Sequence, residues 1–250
     1  MNEVLQQLYA RKSVRAFEEA EITPQEKQAI LRAAFEAPTA GNQQLYTILD
    51  ITDSALKQTL SETCDHQPFI AKAPMVLIFC ADCQKWLDAY EACGCAPRRP
   101  GPGDLLLAMA DACIAAQNVV TAAQSLGIGS CYIGDIWENC EQHRALLGLP
   151  EYVVPAAMLV FGRPAPSQLA REKPRRCEGK FLVHENGYHR MQASELRAML
   201  GYKAAARPYE EWLRSFCDFK YNSGFSREMS RSADEYLKAF EKGKDDWNGA

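Results

Sequence analysis

Arg11, Lys12, Ser13 and Arg15 place three cations and a hydroxyl in one short stretch of a 250-residue chain whose net charge is −4. Guanidinium forks bind phosphate oxygens in pairs and a neighbouring hydroxyl adds a donor, so the stretch suits a phosphate; the same residues would also make a solvated surface patch. A second basic cluster, Arg171, Lys173, Arg175 and Arg176 around Pro174, carries the same two readings. Between them lies Pro38-Thr39-Ala40-Gly41-Asn42-Gln43-Gln44. Its small residues would let a flat ring approach the backbone while Asn42 bonds a polar edge, or it is a plain connecting loop.

The usual catalytic signatures are missing from the sequence. There is no GxSxG, HExxH, Walker loop or GxGxxG, and Gly127, Gly129 and Gly134 have the wrong spacing for a dinucleotide fingerprint. His184-Glu185 with His189 misses the zinc-protease spacing by one residue. Cys80, Cys83, Cys93 and Cys95 form a CxxC followed by a CxC, a spacing open to a zinc-stabilised interaction domain, but reduced thiols are the better account and no metal is expected. A chain so short of acids, bases and nucleophiles in recognisable arrangements fits an enzyme whose cofactor does the chemistry.

These residues need elements to hold them. Val4, Leu5 and Leu8 share a helical face over 2–10, and Thr23, Pro24 and Glu26 spell a capping box for a helix to about Glu36. Leu45–Ile51 and Met75–Ala81 read as strands, the second apolar enough to be covered on both faces. The segment 104–126 is helical and apolar nearly all round, hence buried, as a core helix or the spine of a dimer interface. A short strand CYIG, a helix near 138–147, the strand VVPAAMLVFG and a basic loop over 163–176 follow. FLVHENGYHR predicts a hairpin turning at Asn186-Gly187 in a type I′ turn, and 226–242 predicts an amphipathic helix reaching a partner subunit. The order implies an α+β fold with a mixed or antiparallel sheet, in one domain over 1–250 with 200–250 a helical C-terminal extension. The N-terminus lacks a secretory pattern, and no apolar run is long and charge-free enough to span a bilayer. A cytoplasmic protein without affinity for nucleic acid or membrane is therefore expected.

Taken together, R-K-S-V-R after a first helix, A-P-T-A-G-N-Q one helix later, a buried helix ending in G-I-G, then Y-I-G, and a late K-P-R resemble the FMN-dependent nitroreductase superfamily. The resemblance is closest to its NADPH-linked oxygen-insensitive nitroreductases and flavin reductases, through ILDITD at 48–53, FCAD at 79–82, AAQSLGIGSCYIG at 122–134 and LVHENGY at 182–188. It covers about residues 5–190 and implies a nitroreductase-like, mostly antiparallel sheet flanked by helices, with the buried central helix at a homodimer interface. It implies that Arg11, Lys12, Ser13 and Arg15 hold the FMN phosphate, ribityl chain and pyrimidine edge, with Lys173 and Arg175 reaching the phosphate or the N1 side. It also implies that Thr39, Ala40, Gly41 and Asn42 come across from the other subunit and that Gln67 meets the ring or ribityl chain. Ile133 and Gly134 would pack under the ring and donate to N5. Asp135 stands where the closest group tends to have a second glycine, a carboxylate that would disfavour an anionic substrate or slightly resist formation of the anionic hydroquinone. The implied activity is ping-pong hydride transfer from NADPH or NADH through flavin N5 to a nitroaromatic, quinone or flavin, with no protein nucleophile. The alternative is a flavin-binding storage or sensor protein with little reductase activity.

Overall fold

Thr23 opens the first long helix as its spelling predicts: its hydroxyl accepts from the Glu26 amide while the Glu26 carboxylate accepts from the Thr23 amide. The computed structural model describes residues 1–243. In chain order it runs α1 (Glu3–Ala10), α2 (Pro24–Phe35), β1 (Tyr46–Asp50), α3 (Ser54–Thr63), α4 (Pro68–Lys72), β2 (Met75–Asp82), α5 (Gln84–Ala92) and α6 (Pro102–Ser125). After these come β3 (Gly129–Ile133), α7 (Cys140–Leu147), β4 (Val153–Gly162), α8 (Pro166–Ala170), α9 (Ala193–Leu200), α10 (Tyr209–Lys220) and α11 (Gly224–Glu241). The chain forms two compact units, one of Met1–Glu172 with the chain from Met229 on, the other of Lys173–Glu228. The segment 200–250 thus belongs to both, and 244–250 lies outside the described residues.

The sheet of the first unit has the order β1-β2-β4-β3, with all three pairings antiparallel. Side chains alternate across a strand, and β2 shows why its run is apolar throughout. Met75, Leu77 and Phe79 face α2 and α6, while Val76, Ile78 and Cys80 face Leu60, Ile70 and Ile136. Pro155, which has no amide to give a ladder, sits opposite Cys80 where the β2–β4 register shifts. At the far end of β3 and β4, Gly129 and Gly162 leave room for the incoming 14–17 segment: a Cβ on Gly129 would lie 2.6 Å from Val14 Cγ2, and one on Gly162 2.6 Å from Phe17 Cδ1.

α6 buries Leu105, Ala108, Asp111, Ala112, Ala115, Ala116, Val119, Val120 and Ala123 on a helical stripe. Leu106, Leu107 and Ile114 on its other side are exposed, so within one chain the helix is half-buried rather than buried all round. Among the described residues it is the one helix long and apolar enough by length and composition alone to cross a membrane; here it packs along the sheet.

One further expectation is corrected. Residues 182–190 form no hairpin: Asn186 is left-handed (φ 58°) but Gly187 is not, whereas a type I′ turn needs both. Leu182, Val183 and Tyr188 are all exposed, leaving the segment no apolar face to pair on. α11 turns back on its own chain, where Tyr236, Ala239 and Phe240 join a core with Tyr152 and Leu105, and Ser232 Oγ accepts from the Cys140 amide at 3.0 Å.

Candidate functional site

β3 is an edge strand, and the basic stretch lies along it. Ser13 bridges Ser130, and the Val14 amide donates to Ser130 O at 2.9 Å. Lys12 Nζ is spent on the carbonyls of Leu169 and Arg171, Arg171 donates to Ser13 O, and the Arg15 amide donates to Gln168 Oε1 at 3.2 Å. The stretch is thereby braced from behind by 168–171. Among the described residues, Arg11 and Arg15 form no ion pair with a carboxylate. Arg11 Nε is buried with no acceptor, and Arg15 is exposed, its guanidinium 6.0 Å from the Phe69 ring. Both charges act on the strand: burial pushes the Cys131 thiol up, and Arg15, Ser13 and Arg11 oppose it. An unpaired buried guanidinium N–H beside a second free cation is what a phosphate would satisfy.

Where β3 ends, Ile133 is buried and Gly134 is exposed, with open space where a side chain would stand. The chain turns through Gly134–Trp137 in a 3₁₀ turn that carries Asp135. Gln67 reaches it, its Nε2 donating to Asp135 Oδ2 and to Cys64 O, both at 2.9 Å. Both amide hydrogens are then used, so a further partner of Gln67 must bring a donor to its oxygen. Gln67 is itself fixed: its amide donates to Ser61 O, and the buried Ser61 Oγ donates back to Gln67 O, both at 2.8 Å. Below it, burial first and the Asp135 carboxylate second push the Cys64 thiol up to about 12.

The loop before β1 is held by a residue that sequence reading passed over. Asp111, 3% exposed on α6, accepts from Thr39 Oγ1, from the Ala40 amide at 3.0 Å and from the Leu45 amide at 3.2 Å. Thr39 Oγ1 accepts in turn from the Gln44 amide at 2.8 Å. The loop is wound tightly, with Gly41, Asn42 and Gln44 all left-handed, and it leaves Gly41 and Asn42 exposed. The signal available in the sequence was a lone carboxylate inside an apolar helix, which needs donors when buried.

Arg11, Ser13, Arg15, Gln67, Ile133, Gly134 and Asp135 therefore come together at the β3 edge. Thr39, Ala40, Gly41 and Asn42 do not join them: their loop enters β1, the opposite edge of the sheet, three strand spacings or about 14 Å away. Lys173 and Arg175 belong to the second unit, where the Arg175 guanidinium stands 5.0 Å from the Tyr202 ring. Of the cysteines expected to be ordinary thiols, Cys80 and Cys83 are buried, with pKa values pushed up to about 12 by burial, and Cys93 and Cys95 are exposed.

The chain is similar to proteins of known family. Residues 8–163 match the model of the nitroreductase family. An FMN reductase [NAD(P)H] of Bacillus subtilis is 30% identical over 95% of this chain and 92% of its own length. An oxygen-insensitive NADPH nitroreductase of Salmonella typhimurium is 34% identical over 75% of each. The crystal structure of nitroreductase A from Vibrio parahaemolyticus superposes with a TM-score of 0.76 at 27% identity, covering 86% of this chain and 90% of that one.

Proposed function

The chain belongs to the nitroreductase family, and on that footing we propose that it is an FMN-dependent oxidoreductase that uses NAD(P)H to reduce small electron-deficient acceptors such as nitroaromatics, quinones or free flavin. When bound, FMN would supply two-electron hydride chemistry between NAD(P)H and the acceptor. The protein binds, orients and polarises. Arg11, Ser13 and Arg15 would hold the phosphate and the pyrimidine edge, the two guanidinium groups supplying positive charge that favours the electron-rich reduced ring. Lys12 acts at one remove, tying the 169–171 segment behind them. Ile133 would pack under the ring, and Gly134, with open space where a side chain would stand, would offer its backbone amide to N5. Lys173 and Arg175 enter through the family resemblance alone.

The observation that carries the reading is the unpaired Arg11 Nε, buried in the same stretch as the exposed Arg15, on an edge that ends in an open glycine.

We further propose a homodimer in the cytoplasm. The exposed apolar side of α6, with Leu106, Leu107 and Ile114, supports a buried contact with a second copy. The separation of the Thr39–Asn42 loop from the β3 edge supports a site in which each subunit lends that loop to the other. Ten free cysteines suit a reducing compartment.

The test is the visible spectrum of the purified protein, followed by anaerobic NADPH and then NADH. A flavin spectrum that bleaches, and recovers with a nitroaromatic or quinone, is expected and ranks the two donors. Flavin that stays oxidised with both would mark a storage or sensor protein instead, and absence of flavin after reconstitution with excess FMN would overturn the assignment.

A further inference from the structure

The turn after β3 carries a charge that the site's binding role does not require. Asp135 follows Gly134 directly, so its side chain stands at the border of the slot that the proposed function gives to the ring and its substrates. No cation neutralises it: among the described residues it accepts a hydrogen bond from the neutral amide of Gln67 and takes part in no ion pair. Nor is it free to swing away into solvent. Gln67 is held by Ser61 through two backbone-anchored hydrogen bonds and by Cys64 O through its own side chain. The turn is held as well, because buried His143 meets Ile136 O at 3.1 Å and Thr63 Oγ1 at 2.8 Å, and Asn139 Nδ2 donates to Thr63 O at 3.0 Å. The end of α3 and the Gly134–Trp137 turn thus form one rigid piece with a carboxylate fixed on its rim. A fixed charge in a partly desolvated place acts more strongly on a ligand than one on a flexible surface side chain.

We propose that Asp135, clamped by Gln67, sets the charge selectivity of the acceptor slot, turning away acceptors that carry an anionic group and admitting neutral and cationic ones. This rests on the FMN-dependent reading above. Among the described residues, Arg11 and Arg15 form no ion pair with Asp135, whose hydrogen-bond partner is Gln67.

The experiment pairs two acceptors of the same ring, 4-nitrobenzamide and 4-nitrobenzoate, on the flavin-loaded enzyme. The wild type is expected to favour the amide by about tenfold in kcat/KM, mostly through KM, with the preference shrinking as salt is raised. Asp135→Asn keeps the size of the side chain and an acceptor for Gln67, and should bring the two substrates within about threefold and remove the salt dependence. Gln67→Met leaves the charge but frees it, and should fall between. A second readout does not depend on turnover: the midpoint potential of bound flavin should rise in Asp135→Asn, since a negative charge near the ring opposes its reduction. An unchanged substrate ratio and an unchanged potential in Asp135→Asn, with full flavin content, would overturn the proposal. A wild-type protein that never takes up flavin would overturn the reading beneath it instead.

Discussion

Asp111→Ala is the sharpest test of how the Thr39–Leu45 loop is held. The carboxylate receives one hydroxyl and two backbone amides, and hydrogen bonds to a charged group contribute about 1.5–3 kcal/mol each. Burying the charge costs several kcal/mol in return, and alanine removes both terms. What remains is the cost of three donors without an acceptor, about 1–3 kcal/mol each if fully cut off from water. Thr39 and Ala40 are half-buried and recruit water, whereas Leu45 is buried and its amide does not. The expected loss is therefore about 2–5 kcal/mol, or a fall in Tm of about 5–15 °C for a chain of this size. Asp111→Asn should cost nearly as much, because its amide nitrogen turns donors toward donors. Thr39→Ala, which loses the hydroxyl alone, should cost about 1–2 kcal/mol. Calorimetry on the three variants is the assay. A Tm for Asp111→Ala within about 2 °C of the wild type would mean that the loop amides find other acceptors, and the anchoring argument would be wrong.

Other perturbations have equally definite outcomes. Arg15→Ala should weaken FMN binding by tenfold or more, on the order of one lost charge-assisted bond; a purified variant with full flavin content and unchanged turnover refutes its role. Gly129→Ala drives a methyl into Val14 and Pro164 and should cost about 1–3 kcal/mol in urea unfolding, with a neutral result showing that the 14–17 segment yields. Burial holds the His143 pKa below its ordinary 6.5. The unfolded chain then binds the proton first, so this contribution to stability is complete above about pH 6.5 and declines as pH falls through 6.5 toward the folded value. His143→Gln should flatten that slope in pH-dependent denaturation, and an unaltered slope would assign it to other groups.

The sequence made local features legible and left shared ones ambiguous. The Thr23-Pro24-Glu26 box needs only its own turn to form, and the apolar run of β2 reports burial on both faces whatever covers them. Asn186-Gly187 failed because a turn dipeptide specifies a hairpin only when the flanking residues have a face to bury, and Leu182 and Val183 have none. The amphipathic face of α11 announced that it would pack but not against which chain, and it packs beside Cys140 and Tyr152. At the candidate site, the spacing of Arg11, Ser13 and Arg15 suggested an anion. The link from Gln67 to Asp135 joins residues far apart in the chain, and the anchoring of the loop by Asp111 spans about as far; neither has a local signature. The isolation of Asp111 among the apolar residues of α6 is the mark of a structural acceptor.

The opposite placement of the Thr39–Asn42 loop and the Arg11–Arg15 stretch, at β1 and β3, has a genetic consequence on the proposed shared site. Two defects at these places complement in trans. In a subunit mixture of Arg15→Ala and Asn42→Gly chains, each mixed dimer gathers both lesions into one of its sites and leaves the other intact. Random pairing then restores about a quarter of all sites from two preparations that are each impaired alone. The same two substitutions in a single chain restore nothing when that chain pairs with itself.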